Sequence, residues 1–156
     1  MKNKINLTII SLLIVILLII IYTIGTISAD SSAIQFGLGK DGLGDISSLD
    51  SLTKKNLQNI DDYAKLHFQE VSGNTGYVKI ENGEIIIFNS NNEQFAKIPK
   101  GYEIERNSKR FTARNNNAEP DSVLEIEKNK FKAEKGGEVS WDKKTGEISG
   151  KNTELT

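Results

Sequence analysis

A mainly β fold is predicted: a β-solenoid-like stack of coils of roughly 22 residues, preceded by one amphipathic helix and an N-terminal membrane helix. Three observations lead there. In residues 123–133, apolar and charged positions alternate on both sides of a corner at Lys128-Asn129. Leu124, Ile126, Phe131 and Ala133 fall on one side and Glu125, Glu127, Lys130 and Lys132 on the other, the two-residue period of a half-buried strand. Inward isoleucines then recur as Ile80, Ile104, Ile126 and Ile148, at spacings of 24, 22 and 22 residues. Each is followed by a polar corner and a second apolar position: Ile85 and Ile87, then Phe111, Phe131 and Leu155. Short strands repeated at such a period suit coils that bury their inner faces by stacking. The alternative is an antiparallel β-meander or jelly-roll-like sheet. Hairpins would set Glu125 opposite Lys132, Glu127 opposite Lys130 and Glu105 opposite Arg110, whereas stacked coils lay Glu103 over Glu125 and Glu105 over Glu127. Charge favours the meander; the regular spacing favours the solenoid, which is the reading adopted.

In chain order, Lys2 and Lys4 precede an uncharged run from Ile5 to Ala29. Residues 5–29 therefore partner the membrane, with the N-terminus cytoplasmic if uncleaved and everything after Asp30 exported, because basic residues stay on the cytoplasmic side. Two fates stay open for this segment. Leu7 to Ile27 supplies the roughly 20 apolar residues of an anchor, and Ile27-Ser28-Ala29 supplies the small residues of a cleavage site. Residues 1–29 are thus a signal peptide or transmembrane signal anchor, residues 30–51 a Gly/Ser-rich linker, and residues 52–156 a helix plus β-repeat domain.

Within the linker, Gly37, Gly39 and Gly42 spell GxGxxG, but neither the strand before nor the helix after that a pyrophosphate cradle needs is expected. Asp41 and Asp45 lack the stacked neighbours of a glycine-aspartate calcium site. Residues 53–71 form the helix, with Thr53 as N-cap, Leu57, Ile60, Ala64, Phe68 and Val71 on its apolar stripe, and Gly73 past its end. Asn82-Gly83 marks a hairpin between Tyr77–Ile80 and Glu84–Phe88. Asp142 to Gly146 is a tight turn, with Gly146 left-handed. The last apolar position, Leu155, stands in a strand whose open edge is an expected place for self-association or for continuation of the chain.

The chemistry classes narrow quickly. With no cysteine and one histidine, disulfides, thiolate metal sites and two-imidazole sites are excluded. A net charge of −1, with basic residues interleaved among glutamates, leaves no basic patch for nucleic acid. His67, at the edge of the helix stripe, reads as a packed residue, and the adjacent Asp61 and Asp62 face different directions. Glu103, Glu105, Glu125 and Glu127 have the residue type of a glycosidase pair, but an open, ion-paired face lowers a carboxyl pKa where a general acid needs it raised. Tyr102 and Trp141 share the parity of the inward face and read as core, with Tyr77 the remaining ring that faces sugars in an aromatic reading. No catalytic, cofactor-binding or metal-ligating residue is predicted.

The segment Gly137 to Gly150, Gly-Glu-Val-Ser-Trp-Asp-Lys-Lys-Thr-Gly-Glu-Ile-Ser-Gly, resembles a strand-turn-strand unit of the β-jelly-roll domains of lipopolysaccharide-transport periplasmic proteins. That resemblance implies a membrane-anchored β-domain that binds or passes on lipids. The residues themselves point instead to an exported, non-enzymatic cell-envelope β-repeat domain, acting as a structural or adhesive surface module.

Overall fold

Two tight corners set the pairing of the chain. Asn82 and Gly83 both take positive φ, 52° and 78°, as a two-residue hairpin turn demands, and join β2 (Gly76–Glu81) to β3 (Glu84–Asn89). Glu127 and Lys128 do the same, at 46° and 71°, between β7 (Leu124–Ile126) and β8 (Asn129–Asp142). That corner falls one residue earlier than the sequence predicts. Leu124 consequently faces Phe131 and Glu125 faces Lys130, with Glu127 left in the turn.

The computed structural model describes residues 33–156; the predicted membrane segment at residues 5–29 lies outside the described residues. Among them no helix is long and apolar enough to cross a membrane. The remaining strands are β1 (Ile34–Gly37), β4 (Gln94–Ile98), β5 (Tyr102–Arg106), β6 (Arg110–Asn115) and β9 (Glu147–Leu155). They form one sheet in the order β1-β2-β3-β4-β7-β8-β6-β5, with β9 also against β8. Every pair is antiparallel.

That pairing corrects the solenoid. Ile80 lies between Ile34 and Ile85, Ile104 opposite Ala113, Ile126 between Ala96 and Asn129, and Ile148 opposite Trp141, so the four isoleucines form no ladder. Hairpin arms of similar length give the same spacing as coils. Cross-strand charge decides between them: Lys97 meets Glu84 at 2.9 Å, Lys130 meets Glu125 at 3.5 Å and Arg114 meets Glu138 at 3.1 Å, where stacked coils would set like on like.

The long strand β8 bends the sheet into a curled half-barrel. Its first residues pair with β7, its last with β6, and β9 follows it on the other side. Between Ala133 and Glu138 the β8–β9 register shifts, and such a bulge bends a strand and steepens its twist. The inward residues of both arms share one core with Leu57, Ile60, Tyr63 and Ala64 of helix α1 (Ser51–His67).

Helix α1 lies along the free edge of β5. Asn56 donates from Nδ2 to the carbonyl of Tyr102 at 2.9 Å and accepts from the amide of Ile104 at 2.8 Å. Asn59 donates to the carbonyl of Ile104 at 2.8 Å, Lys55 pairs with Glu103, and Arg106 reaches Asp62 at 2.8 Å. An edge strand whose outward groups are occupied in this way is closed to a foreign strand. From its next face the helix reaches the chain just beyond β1, where Asp61, 6 % exposed, accepts from the amide of Gly39 at 2.7 Å and pairs with Lys65.

The stretch read as linker is therefore partly structural: β1 pairs with β2, Leu38 is buried, and the compact unit runs from Ala33 to Thr156. Its single hydrophobics among glycines hid an edge strand. The helix also shifts against expectation. Asp50, not Thr53, is the N-cap, accepting from the Thr53 amide at 3.0 Å, and the helix ends at His67, leaving Val71 exposed. Gly39 carries the closest approach of the first turn, with φ 81° and the Thr75 side chain where a Cβ would stand. Gly39→Ala is expected to cost more than the roughly 1–3 kcal/mol of left-handed backbone strain alone. Gly146→Ala, in the Asp142 to Gly146 turn at φ 70° with no atom within 4 Å of the new Cβ, carries positive-φ strain without a clash, so urea titration of the two variants compares the terms.

Candidate functional site

The C-terminal end of α1 opens onto a cluster of rings. Phe68 leaves the helix in extended backbone, its amide still bonded to the Ala64 carbonyl at 2.8 Å, and a bridge between Val71 and Asn74 turns the chain away. Tyr63 and His67, one helical turn apart, face the same way, with ring centroids 4.5 Å apart. Around Tyr63 stand Phe111 at 5.1 Å, Trp141 at 5.8 Å, and Phe68 and Phe95 each at 6.0 Å.

Phe95 is there because of a bulge. Ile87 pairs with Ala96 and Phe88 with Gln94, so Phe95 has no partner on β3. An extra residue in a strand re-aims its side chain, and this one turns a position of outward parity into the core, 4.9 Å from Trp141. Its carbonyl accepts from the Glu127 amide at 2.9 Å. The β7–β8 turn is thereby held beside the rings.

Above the cluster lies a groove of about 910 Å³. His67, Phe68, Phe95 and Trp141 form its apolar wall; Gln69, Asn89, Asn91 and Gln94 supply amides; Glu93, Glu125, Glu127, Lys128 and Lys143 supply charge. A second hollow of about 680 Å³ lies beside the β8 bulge, against Asn115, Lys132 and Asn152. Its buried amide is already satisfied: Asn115 donates to the Ala133 carbonyl at 2.7 Å and accepts from the Ala118 amide at 2.8 Å.

The ring cluster beneath the first groove differs in this respect. Four buried side-chain polar atoms among the described residues lack a hydrogen-bond partner, and three of them, Tyr63 Oη, His67 Nε2 and Trp141 Nε1, belong to rings of this cluster. Buried polar groups are ordinarily paired, and each exception asks for an explanation. No protein-family model, curated protein or solved structure matches this chain. The site is accordingly read from its own chemistry.

Burial holds the Tyr63 phenol far above its ordinary range, with the charges of Glu127 and Asp142 adding to the effect. Burial likewise pushes the His67 imidazole down from 6.5; Lys143 and Arg106 reinforce this, and Asp142 and a hydrogen bond to the Ser108 backbone oppose it. The folded protein thus resists a proton that the unfolded chain accepts. Stability is full above the unfolded value and falls as pH drops through about 6.5, levelling once the folded group also titrates. The carboxylates Asp50 and Glu103 are held below 3.8 and 4.5 by the Thr53 hydrogen bonds and by Lys55 and Asn116 respectively. Their stability contribution is lost only in more acid solution. A lower urea midpoint at about pH 5 than at about pH 7.5 is expected, and His67→Gln should flatten that difference.

The other sequence candidates disperse. Gly39 of the GxGxxG run donates its amide to the Asp61 carboxylate, so the would-be anion cradle already holds an internal anion. Asp61 and Asp62 face different partners, as expected, and Asp45 accepts from the Ser47 amide at 2.9 Å. Tyr102 and Trp141 are buried, as their parity predicts. Tyr77 lies at the surface, stacked on Phe88 at 4.7 Å with Lys79 over both rings. Of the strand glutamates only Glu125 and Glu127 reach the groove. Phe95, Tyr63 and the orphan atom of His67 were not singled out by sequence, since a bulge and a missing partner leave no pattern in residue order.

Proposed function

We propose that the chain is an exported, non-enzymatic module of the cell envelope, in which a stiff β scaffold presents a structural or adhesive surface. Residues 1–29 direct it to the outer face of the cytoplasmic membrane, either as an anchor or as a cleaved signal, by the basic-then-apolar order of Lys2, Lys4 and the run from Ile5. One observation carries the non-catalytic half of the reading: the strand carboxylates are engaged in holding the scaffold together. Glu103 pairs with Lys55, Glu105 with Arg114 at 3.3 Å and Glu125 with Lys130 at 3.5 Å. Glu103 is thereby kept ionised, the opposite of what a general acid requires.

The lipid-passing alternative needs an apolar channel along the concave side. That side is occupied by Leu57, Ile60, Tyr63 and Ala64, each 1 % exposed or less, which counts against it. Location is tested by adding protease to intact cells that express the full chain with a C-terminal epitope. Loss of the epitope without lysis, or its release into the medium, is expected. An epitope protected until the membrane is broken would overturn the proposal.

A further inference from the structure

We infer that the outer edge of β9 is a pairing surface for a second copy of this chain, which adds antiparallel about a twofold axis at Ser149. The edges of the sheet are not alike. That of β5 is occupied by Asn56 and Asn59 of α1, and β1 is short, Ile34–Gly37. The far side of β9 pairs with no strand among the described residues. From Glu147 to Lys151 the backbone makes one side-chain hydrogen bond among those residues, the Glu147 amide donating to the Thr145 hydroxyl at 3.2 Å. Open backbone groups along a strand are a template for another strand. Asn152, at φ 51°, and the register shift against β8 end the straight stretch at Lys151.

Charge chooses the occupant. Glu147, Ser149 and Lys151 lie on the solvent face, opposite Asp142, Ser140 and Glu138 of β8, while Ile148 packs inward opposite Trp141. A strand that pairs with its own copy about Ser149 sets Glu147 opposite Lys151 of the second copy and Lys151 opposite its Glu147, so one register makes the ion pair twice. A slip of one residue would put the solvent face of one copy beside the core face of the other, and a slip of two sets Glu147 or Lys151 against Ser149. Both charges are available, since neither has a salt-bridge partner among the described residues. Glu138, opposite Lys151, is engaged with Arg114 at 3.1 Å. Glu147 stands opposite a like charge, Asp142, whose cation Arg110 lies on the other side at 3.7 Å. Like charges directly opposite destabilise a strand pair, and a lysine on the open side of Glu147 offsets that repulsion. A second copy brings that lysine; a strand of arbitrary sequence gains the backbone bonds without the ion pairs. The contact is short and polar, in the small, transient class of interface.

Sedimentation equilibrium of the full chain in density-matched detergent micelles at about pH 7, up to about 1 mM, the range of weak association, is expected to show a reversible dimer that weakens as salt is raised. Lys151→Glu sets glutamate opposite glutamate and Glu147→Lys sets lysine opposite lysine, so each variant alone should associate about tenfold more weakly or worse. Both positions are exposed, and surface substitutions of this kind leave a fold nearly unchanged in stability. An equimolar mixture of the two variants rebuilds both ion pairs across one interface and should dimerise as the unaltered chain does. A monomer at every concentration leaves the edge to a different strand and overturns the inference. So does a dimer indifferent to both substitutions, as contact through residues 1–29 would give, or a mixture that associates no better than its components. The readout does not depend on where the chain resides, so it stands apart from the protease experiment.

Discussion

Asn56→Ala is expected to destabilise the domain by about 2–4 kcal/mol, because it strips partners from two backbone groups at once and each buried unsatisfied group costs about 1–3 kcal/mol. Asn56 is 3 % exposed, and its amide spans the outward carbonyl of Tyr102 and the outward N–H of Ile104. In effect a helix side chain replaces a neighbouring strand. Asn56→Asp keeps the acceptor for Ile104 but sets a second oxygen against the Tyr102 carbonyl, so it should be no milder than alanine. Asn59→Ala removes one partly buried bond, to the Ile104 carbonyl, and should cost about 1 kcal/mol. Chemical denaturation gives the magnitudes. The uncovered edge of β5 has a second expected consequence, concentration-dependent association of Asn56→Ala visible by sedimentation, since an open strand edge recruits another.

Tyr63→Ala is expected to cost about 3–5 kcal/mol, the range for emptying a large aromatic site. It removes the ring that touches His67, Phe68, Phe95, Phe111 and Trp141. Tyr63→Phe is the informative partner. The hydroxyl is buried without a hydrogen-bond partner, and deleting an unsatisfied polar group while keeping the ring should be neutral or stabilising by about 1–2 kcal/mol. A loss of stability in Tyr63→Phe comparable with that of Tyr63→Ala would show that the hydroxyl is paired in solution and that packing is not the main term.

The sequence made the local elements readable and left their assembly hidden. Asn82-Gly83 and the Asp142 to Gly146 turn were legible because their residue types favour the positive φ they adopt, and Gly146 bonds back to the Asp142 carbonyl at 2.7 Å. Glu127-Lys128 turns just as tightly with residues that carry no such preference, which displaced the corner by one position. Even spacing of Ile80, Ile104, Ile126 and Ile148 suggested stacking, yet side-chain alternation is identical in parallel and antiparallel neighbours, so period alone could not choose between them. The apolar stripe of α1 was visible. Its polar residues Asn56, Asn59 and Asp61, which fix where the helix lies, stand outside that stripe, and nothing in residue order names the backbone groups of Tyr102, Ile104 and Gly39 that they bond. The candidate groove was the least legible feature: Phe95 arrives by a bulge, and the orphaned atoms of Tyr63, His67 and Trp141 are defined by what surrounds them in space.

The helix-tied half-barrel is tested most directly by amide hydrogen exchange at Ile104 and Gly39. Each of these N–H groups is bonded to a side chain of α1, Asn56 and Asp61 respectively, at 2.8 and 2.7 Å. Both amides should exchange as slowly as those in the centre of the sheet. Asn56→Ala should release Ile104 more than Gly39, and Asp61→Ala the reverse. Rapid exchange of both amides in the unaltered protein, at the rate of an open strand edge and a free loop, would contradict the structure described.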